Sequence, residues 1–373
     1  MNVTPLVLPS VVDSSANKMA ASYWDKVTAA YDAGNYKEAI LNLLNYVDPG
    51  LISRTGNADA SEFTIPHGSA LIGLKIGSDT FSVNAPFLIL PEKNSIPLLR
   101  QVASINFSPL VLADISLEKD QLSFNYSCPL SLCEPYKIYY LLREICMYAD
   151  IYDDEFITKF KAVRLREPVV KNFSKEKLDE MWGLLQKFIA DSFQYIKYFT
   201  DKRWDGSVWD IITHTLFKIE FTLGPQGQFR NELEKNISMM LGHGNLNDIN
   251  TSGQKYLTNL QNYKREDFDK DMYMVDTFIP YKTSMDSYEN LQSFFQGDYE
   301  RAQGEINAKN YIAATFSLYY SIFRCFYYHN ISEAFSTILR QGLIDSSNKP
   351  WEEGAKVLMS SLTKIMSIKQ EAA

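Results

Sequence analysis

Residues 62–90 read EFTIPHGSALIGLKIGSDTFSVNAPFLIL, and this stretch decides the fold class. Apolar residues alternate with polar or small ones on both sides of a turn at residues 77–79, a period of two that is typical of half-buried β-strands. Two such runs joined by a short turn predict a β-hairpin, and Glu62 to Pro66 predicts a further short strand before it. The alternating residues are Ala70, Ile72, Leu74 and Ile76 in the first run, and Phe81, Val83, Ala85, Phe87 and Ile89 in the second.

A second hairpin is predicted further along the chain, at Leu112 to Tyr126. A short helix precedes it, with Pro97 in its first turn, where proline is tolerated. Val111, Ala113, Ile115 and Leu117 alternate with polar residues before the turn at residues 119–120, and Leu122, Phe124 and Tyr126 alternate after it. A long helix follows Pro135, and its apolar stripe predicts a buried face. The stripe comprises Ile138, Leu141, Leu142, Ile145, Ala149 and Tyr152.

Two helices are predicted before the sheet, between Met19 and Val47, and residues 1–18 read as a loose polar lead-in. An antiparallel sheet with one apolar face needs a cover, and the flanking helices can supply it. The sequence therefore predicts an α+β domain over residues 19–165, built as an antiparallel five-stranded sheet with covering helices.

A mostly α-helical region is predicted to follow, over residues 170–368. Apolar residues recur there at helical spacing, and Ser174 is the expected cap of the first helix. Residues 242–255 begin with Gly242-His243-Gly244-Asn245 and form the best candidate for a linker.

One internal echo links the two regions. Residues 24–43 and 299–318 both read as a helix, an Asn-Tyr turn and a second helix with an alanine three positions after the tyrosine. Small residues allow close helix crossing, as in helical repeat units. Two copies this far apart do not make a solenoid, and independent use of the same turn chemistry explains the echo as well.

Charge and composition exclude several classes of function. Hydrophobic residues make up 46% of the 373 residues and charged residues 22%, which is the globular range. The net charge of −8 and the absence of a compact Lys/Arg cluster argue against nucleic-acid and anionic-membrane binding. No run approaches the roughly 18 apolar residues of a membrane span. The N-terminus lacks a signal-peptide pattern, and these features together predict a cytoplasmic protein.

The order of elements in residues 19–160 resembles the type III secretion chaperone-like superfamily, which includes the YbjN family. The residues that carry the resemblance are 85–91 (APFLILP), 98–106 (LLRQVASIN) and the hairpin at Leu112 to Tyr126. The long helical region after residue 173 departs from that family of small proteins. The resemblance implies a cytosolic, non-enzymatic module that binds polypeptide, often as a dimer, and it names no catalytic residue.

No motif in the sequence predicts a catalytic, cofactor or metal site. Cys128, Cys133 and Cys146 lack the paired spacing and nearby histidines of a zinc site, so we interpret them as buried thiols. The acidic clusters around Asp153 and Asp269 could hold Mg²⁺ or Ca²⁺. They lack the turn glycine and terminal glutamate of a calcium loop, and solvated helix ends explain them better. The first cluster comprises Asp150, Asp153, Asp154 and Glu155, and the second Asp267, Asp269, Asp271 and Asp276.

A dense aromatic run near the C-terminus is the candidate partner surface. Two interpretations stand: an exposed interface, or a helix buried on most sides. The run comprises Tyr319, Tyr320, Phe323, Phe326, Tyr327 and Tyr328.

These features favour a non-enzymatic protein-interaction or chaperone-like role, with a polypeptide partner that could be a second copy of the chain. Two alternatives stay open. One is an enzyme whose site lies at the junction of the α+β and helical regions, and the other is a structural subunit of an assembly.

Overall fold

The computed structural model describes residues 1–12, 19–279, 284–285 and 288–368. The chain divides into two compact units. The first, here the helical unit, comprises Met1–Asn17, Asn172–Tyr273 and Lys282–Ala373. The second, here the α+β unit, comprises Lys18–Lys171 and Met274–Tyr281. The α+β unit is thus inserted, in sequence, after the first residues of the helical unit.

The α+β unit begins with helices, continues with strands and ends with a long helix. Its helices are α1 (Trp24–Asp32), α2 (Tyr36–Val47), α3 (Leu51–Thr55), α4 (Ser95–Phe107) and α5 (Pro135–Phe160). Its strands are β1 (Glu62–His67), β2 (Ala70–Ile76), β3 (Thr80–Ile89), β4 (Asp114–Glu118), β5 (Gln121–Pro129) and β6 (Val163–Arg164). The strand β7 (Val170–Asn172) follows and pairs with β8 (Tyr273–Val275).

The predicted antiparallel sheet is confirmed. Its strand order is β1-β2-β3-β5-β4, and the pairs are antiparallel throughout. A sixth strand, β6, pairs with the end of β3, where Leu88 faces Arg164. Two residues are too short for a periodic pattern, so sequence periodicity missed this strand.

One face of the sheet is buried through alternation, which in β3 holds as far as Phe87; a register shift between Pro86 and Leu88 then buries Leu88 in place of the predicted Ile89. Phe81, Val83, Ala85 and Phe87 of β3 are buried, and the Phe87 ring lies 4.8 Å from that of Phe124 on β5, centroid to centroid. Helix α5 packs on β2 and β3 with its apolar stripe and also contacts α1, α2 and α4. The predicted cover of the sheet by helices is therefore confirmed.

The second hairpin is shorter than its apolar alternation predicts. Val111 and Ala113 precede β4, which begins at Asp114. The backbone N–H groups of residues 111–113 donate to the carboxylate of Glu144 on α5, so they are bound to a side chain and not to a neighbouring strand. This contact, between residues more than 30 positions apart, delays the start of β4 to Asp114.

The helical unit consists of packed helices. Its helices are α6 (Lys175–Asp201), α7 (Asp205–Leu223), α8 (Gly227–Leu241), α9 (Leu246–Gln261), α10 (Arg265–Lys270), α11 (Tyr288–Asn307), α12 (Tyr311–Tyr328), α13 (Glu333–Ser346) and α14 (Trp351–Ser367). Between α10 and α11 the chain passes through Met274–Tyr281 of the α+β unit. Two short parallel strands, β9 (Ser284–Met285) and β10 (His329–Asn330), pair with each other. The Ser174 hydroxyl accepts from the N–H of Lys177, as predicted for the cap of α6.

The linker predicted at residues 242–255 is instead largely α9. The Asn245 side chain caps this helix by accepting from the N–H groups of Asn247 and Asp248. Gly253 is buried so close to α7 that an added Cβ would lie 2.8 Å from the Ile212 side chain. Capping chemistry and close packing thus make this segment part of the core, although its polar sequence resembles a loop.

The predicted loose lead-in also corresponds to packed structure where it is described. Residues 1–12 form an extended segment in the helical unit, and Thr4 and Val7 are buried. Residues 13–18 lie outside the described residues. Leu6, Leu8, Val11 and Val12 also pack against the core, so the apolar residues of this segment were a sign of burial that its interpretation as a polar lead-in overlooked.

The internal echo corresponds to the same turn built twice. Asn35 has φ −86° and ψ 64°, and Asn310 has φ −89° and ψ 67°. In each turn the asparagine N–H donates to a carbonyl five residues earlier, and its carbonyl accepts from an alanine N–H four residues later. The residue before each asparagine has a positive φ. Local turn chemistry, shared by both segments, accounts for the match.

Replacing Phe124 by Ala removes a fully buried ring from the sheet core and its contact with Phe87. We expect a loss of about 3–5 kcal/mol in the free energy of unfolding of the α+β unit, measured by urea denaturation. Leu117→Ala on the neighbouring strand is the matched control, because Leu117 is exposed. Equal losses for the two variants would contradict this account of the core.

Candidate functional site

The predicted aromatic partner surface lies on α12 and is mostly inside the helical unit. Tyr319, Phe323 and Tyr327 are buried, Tyr320 and Phe326 are half-buried, and Tyr328 is exposed. Tyr319 donates to or accepts from the Ser346 hydroxyl at 3.0 Å. Of the two interpretations of this run, the structure favours a helix buried on most sides.

The second acidic cluster is divided among separate partners. Asp267 pairs with Lys270 and Asp269 with Arg265, while an Asp271 oxygen accepts from the N–H of Phe229. Asp276 belongs to the α+β unit, where its carbonyl accepts from the N–H of Gly68. Among the residues that the structure describes, no group of three or more His, Cys, Asp or Glu side chains is arranged to hold a metal ion.

The first acidic cluster contains a buried carboxylate. Asp153 is buried on α5, accepts from the Ser69 hydroxyl and lies 3.3 Å from the Arg164 guanidinium. Arg164 also pairs with Asp154. Desolvation, reinforced by the nearby Asp154 charge, raises the pKa of Asp153 to about 7. The arrangement anchors β6 to α5 through Arg164 and leaves Asp153 able to take up a proton near neutral pH.

The cysteines of the α+β unit are buried thiols, in keeping with their interpretation from sequence. The Sγ atoms of Cys128 and Cys133 lie 3.5 Å apart, and Cys146 is fully buried on α5. Burial raises the pKa of both Cys133 and Cys146 far above the ordinary value. A thiol in that state is a poor nucleophile, because the thiolate is the reactive form.

Helix α7 of the helical unit carries three titratable side chains at a spacing of four residues. Asp210, His214 and Lys218 therefore share one helical face, and His214 and Lys218 are fully buried. Burial raises the pKa of Asp210 to about 7 and lowers that of His214 to about 3. The His214 ring lies 5.3 Å from Phe316 and 5.9 Å from Tyr319. His214 is thus a neutral side chain packed among aromatic rings.

A shallow groove of about 430 Å³ lies on the surface of the helical unit between α11 and α14. Its lining contains two lysines, three hydroxyl side chains and two apolar ones, and Lys356 pairs with Glu352 on its own helix. Among the residues that the structure describes, the lining contains no carboxylate, histidine or cysteine, and these residues offer no acid–base pair for catalysis. The lining residues are Ile306, Lys356, Met359, Ser360, Thr363, Lys364 and Ser367.

The α+β unit exposes several large apolar side chains on α5 and on the segments that precede it. Phe107 at the end of α4 is 91% exposed and Val111 in the following loop is 83% exposed. Leu132, immediately before α5, and Tyr136 and Tyr140 on its first turns are also exposed. We call these five residues the aromatic face.

The carboxylate of Glu144 on α5 holds the loop that carries Val111 close to Tyr140. Its oxygens accept from the N–H groups of Val111, Leu112 and Ala113 at 2.9, 3.0 and 2.8 Å. Tyr140 lies one turn before Glu144 on the same helical face. Leu110 is buried on the other side of the loop, so Val111 is held pointing outward. The loop is therefore fixed beside Tyr140 by three charge-assisted hydrogen bonds.

Ring contacts with Trp24 and the buried Tyr139 hold the two tyrosines of the aromatic face in place. The Tyr136 ring lies 4.6 Å from the ring of Trp24 on α1, and Trp24 lies 5.0 Å from the buried Tyr46 on α2. Tyr140 contacts the buried Tyr139 at 5.6 Å. These edge and tilted contacts connect the exposed tyrosines to the core of the unit.

Sequence reasoning missed the aromatic face, although one signal for it is present. Tyr136 and Tyr140 lie four residues apart on a face of α5 outside the buried stripe. Helical periodicity could therefore have identified the tyrosines. The approach of Val111 to this face has no local signal, because it depends on Glu144.

No protein-family model matches the chain, and no curated protein matches it either. Across the described ranges, none of the helices combines the length and the apolar character that crossing a membrane requires.

Two carboxylates, the buried Asp153 and the partly buried Asp210, should make stability depend on pH. The pKa values of Asp153 and Asp210, about 7 in the folded chain, exceed the value of about 4 in the unfolded chain. The folded state therefore holds more protons between pH 4 and 7, and the free energy of unfolding falls as pH rises through that window. We expect Asp153→Asn and Asp210→Asn each to flatten this fall by up to about 1.4 kcal/mol per pH unit, measured by urea denaturation.

Carbon-13 NMR of the aspartate carboxyl groups provides the direct check. Each Asn variant should remove one titration centred near pH 7 and leave the other in place. A wild-type pH slope in both variants would show that neither carboxylate titrates in this window.

Proposed function

We propose that this protein is a non-enzymatic protein-binding module and that a polypeptide partner docks on the aromatic face. The observation that carries the proposal is the exposure of five large apolar side chains of the α+β unit, with the loop that carries Val111 held against α5 by Glu144. Single exposed apolar residues are ordinary, but a gathered set marks an interaction surface. Tyrosine and phenylalanine are also enriched where partners contribute most binding energy.

The rigidity of the surface supports the same role. Glu144 holds the loop through three hydrogen bonds, and Tyr136 packs on Trp24. A surface that is already ordered loses little conformational entropy when a partner binds. The aromatic face thus suits a partner that presents apolar side chains of its own, and a second copy of the chain is one such partner.

The order of elements adds a further argument. Helical hairpin, antiparallel sheet interrupted by α4, and closing helix α5 follow one another as in the type III secretion chaperone-like proteins that residues 19–160 resemble. Polypeptide binding by that superfamily agrees with the proposed role. A cytoplasmic location belongs to the same proposal.

Photo-crosslinking identifies the surface that a partner uses. A photoreactive amino acid at Phe107, Val111 or Tyr140 should give the same discrete crosslinked product in cells. The matched control is Ile96, which is equally apolar and exposed but lies at the opposite end of α4, roughly 16 Å away along the helix. A crosslink of equal yield from Ile96, or none from the aromatic face, would contradict the proposal.

Affinity for the purified partner tests the same surface quantitatively. Phe107→Glu and Tyr140→Glu should weaken binding about tenfold or more, because a carboxylate would be desolvated in the contact. Ile96→Glu should bind as the wild type does, and circular dichroism should show all three variants folded. Sedimentation of the Tyr140→Glu chain identifies a homodimer if the wild type is dimeric and the variant is not.

A further inference from the structure

The helical unit holds the N-terminal segment, residues 1–12, much as a receptor holds a peptide. The segment reads MNVTPLVLPSVV, has no charged side chain and contains two prolines that disfavour a helix. The segment runs extended, and its main chain hydrogen-bonds to residues of its own unit. The contacts of the segment involve its main chain, one pair of charges and two side-chain positions.

Main-chain recognition extends along the segment. The N–H groups of Thr4, Val7 and Val11 donate to the Lys349 carbonyl, the Ser347 hydroxyl and the Thr222 carbonyl at 2.8, 2.8 and 3.1 Å. The Val3 carbonyl accepts from the Tyr195 hydroxyl at 2.8 Å, and the Met1 carbonyl accepts from the Trp351 indole N–H at 3.4 Å. Groups of this kind are present in any extended peptide, so they recognise conformation more than sequence.

Two charged side chains, the buried Lys218 and the partly buried Asp191, bind the main chain of Leu6 on both sides. The Leu6 N–H donates to Asp191 at 3.1 Å, and the Leu6 carbonyl accepts from the Lys218 ammonium at 3.0 Å. Lys218 is 1% exposed, and its nitrogen lies 3.8 Å from the Asp191 carboxylate. A buried ammonium is costly unless hydrogen bonds satisfy it, so this pair requires a peptide group beside it.

One side-chain pocket depends on a glycine. Thr4 is fully buried against α14, where an added Cβ on Gly354 would lie 2.5 Å from the Thr4 methyl group. The Thr4 hydroxyl donates to the Ser346 carbonyl and accepts from the N–H of Lys349. The pocket therefore selects a small hydroxyl side chain, while Val7 fills an apolar position three residues later.

We infer that the helical unit contains a binding site for an extended, uncharged peptide with threonine and valine three residues apart, and that residues 1–12 occupy it in cis as an exchangeable ligand. The site lies in a different unit from the aromatic face and does not depend on it. A free peptide of the same chemistry binds when the cis segment leaves.

The test cuts the segment from the folded full chain. A recognition sequence for a site-specific protease replaces residues 13–18, and the cut protein is mixed with a fluorescent synthetic peptide of sequence MNVTPLVLPSVV. Fluorescence anisotropy should show binding only after cleavage, and unlabelled peptide should displace the label. A peptide carrying Thr4→Lys should bind about tenfold or more weakly, because a charge would enter the pocket.

Two glycine variants separate the pocket from general stability. Gly354→Ala in the chain should weaken the labelled peptide about tenfold or more, because the added methyl occupies the position of the Thr4 side chain. Gly183→Ala, inside α6 with no atom within 4 Å of the added Cβ, should leave binding unchanged. Failure of the native peptide to bind the cut chain, or equal binding of the Thr4→Lys peptide, overturns the inference.

Hydrogen exchange of the uncut wild-type chain gives an independent answer. An exchangeable ligand opens locally, so the amides of Thr4, Leu6, Val7 and Val11 should exchange together and faster than those of α7. If they exchange only with α7, the segment is an inseparable part of the core and the inference is wrong.

Discussion

Helix α5 packs on the sheet with one face and carries exposed tyrosines on another, and the α+β unit depends on this double role. Its apolar stripe covers β2 and β3, where Phe81 and Phe87 complete the buried face of the sheet. Its neighbouring face carries Tyr136, Tyr140 and Glu144, which support the proposed partner surface. Because the first face is fixed by burial, the second is presented in one orientation. The core that stabilises the sheet therefore also orders the surface proposed to bind a partner.

Buried polar groups play the corresponding part in the helical unit. Lys218 is buried and lies 3.8 Å from the partly buried Asp191, in a place where an unsatisfied ammonium costs several kcal/mol. The Leu6 carbonyl accepts from Lys218 and the Leu6 N–H donates to Asp191, so two successive peptide groups of the segment meet that requirement. His214, by contrast, remains neutral, since burial lowers its pKa to about 3. Helix α7 thus carries a lysine, Lys218, that donates to the main chain of the N-terminal segment, and a histidine, His214, that is neutral.

Much of the α+β unit could be predicted because its signals are local. Alternation in β2, β3 and β5 has a period of two, and the α5 stripe has the helical period, so both can be recognised within a short window. The aromatic run on α12 was harder to place, because a helix that is apolar on most sides can be a core or an interface. Only the neighbours Phe217, His214 and Ser346 decide that Tyr319 and Tyr327 are buried.

The fold class, the two hairpins of the main sheet and the absence of a familiar catalytic motif could be recognised from the sequence, because periodicity and turn chemistry act between near neighbours. The pairing of β3 with β5, which joins the two hairpins, needed the folded chain, as did the features that follow. The start of β4 depends on Glu144, more than 30 residues away, and the burial of Thr4 depends on Gly354, 350 residues away. Contacts at such separations leave no periodic trace, so the Glu144 contact beside the aromatic face and the pocket of Thr4 became visible only when the folded chain brought these residues together.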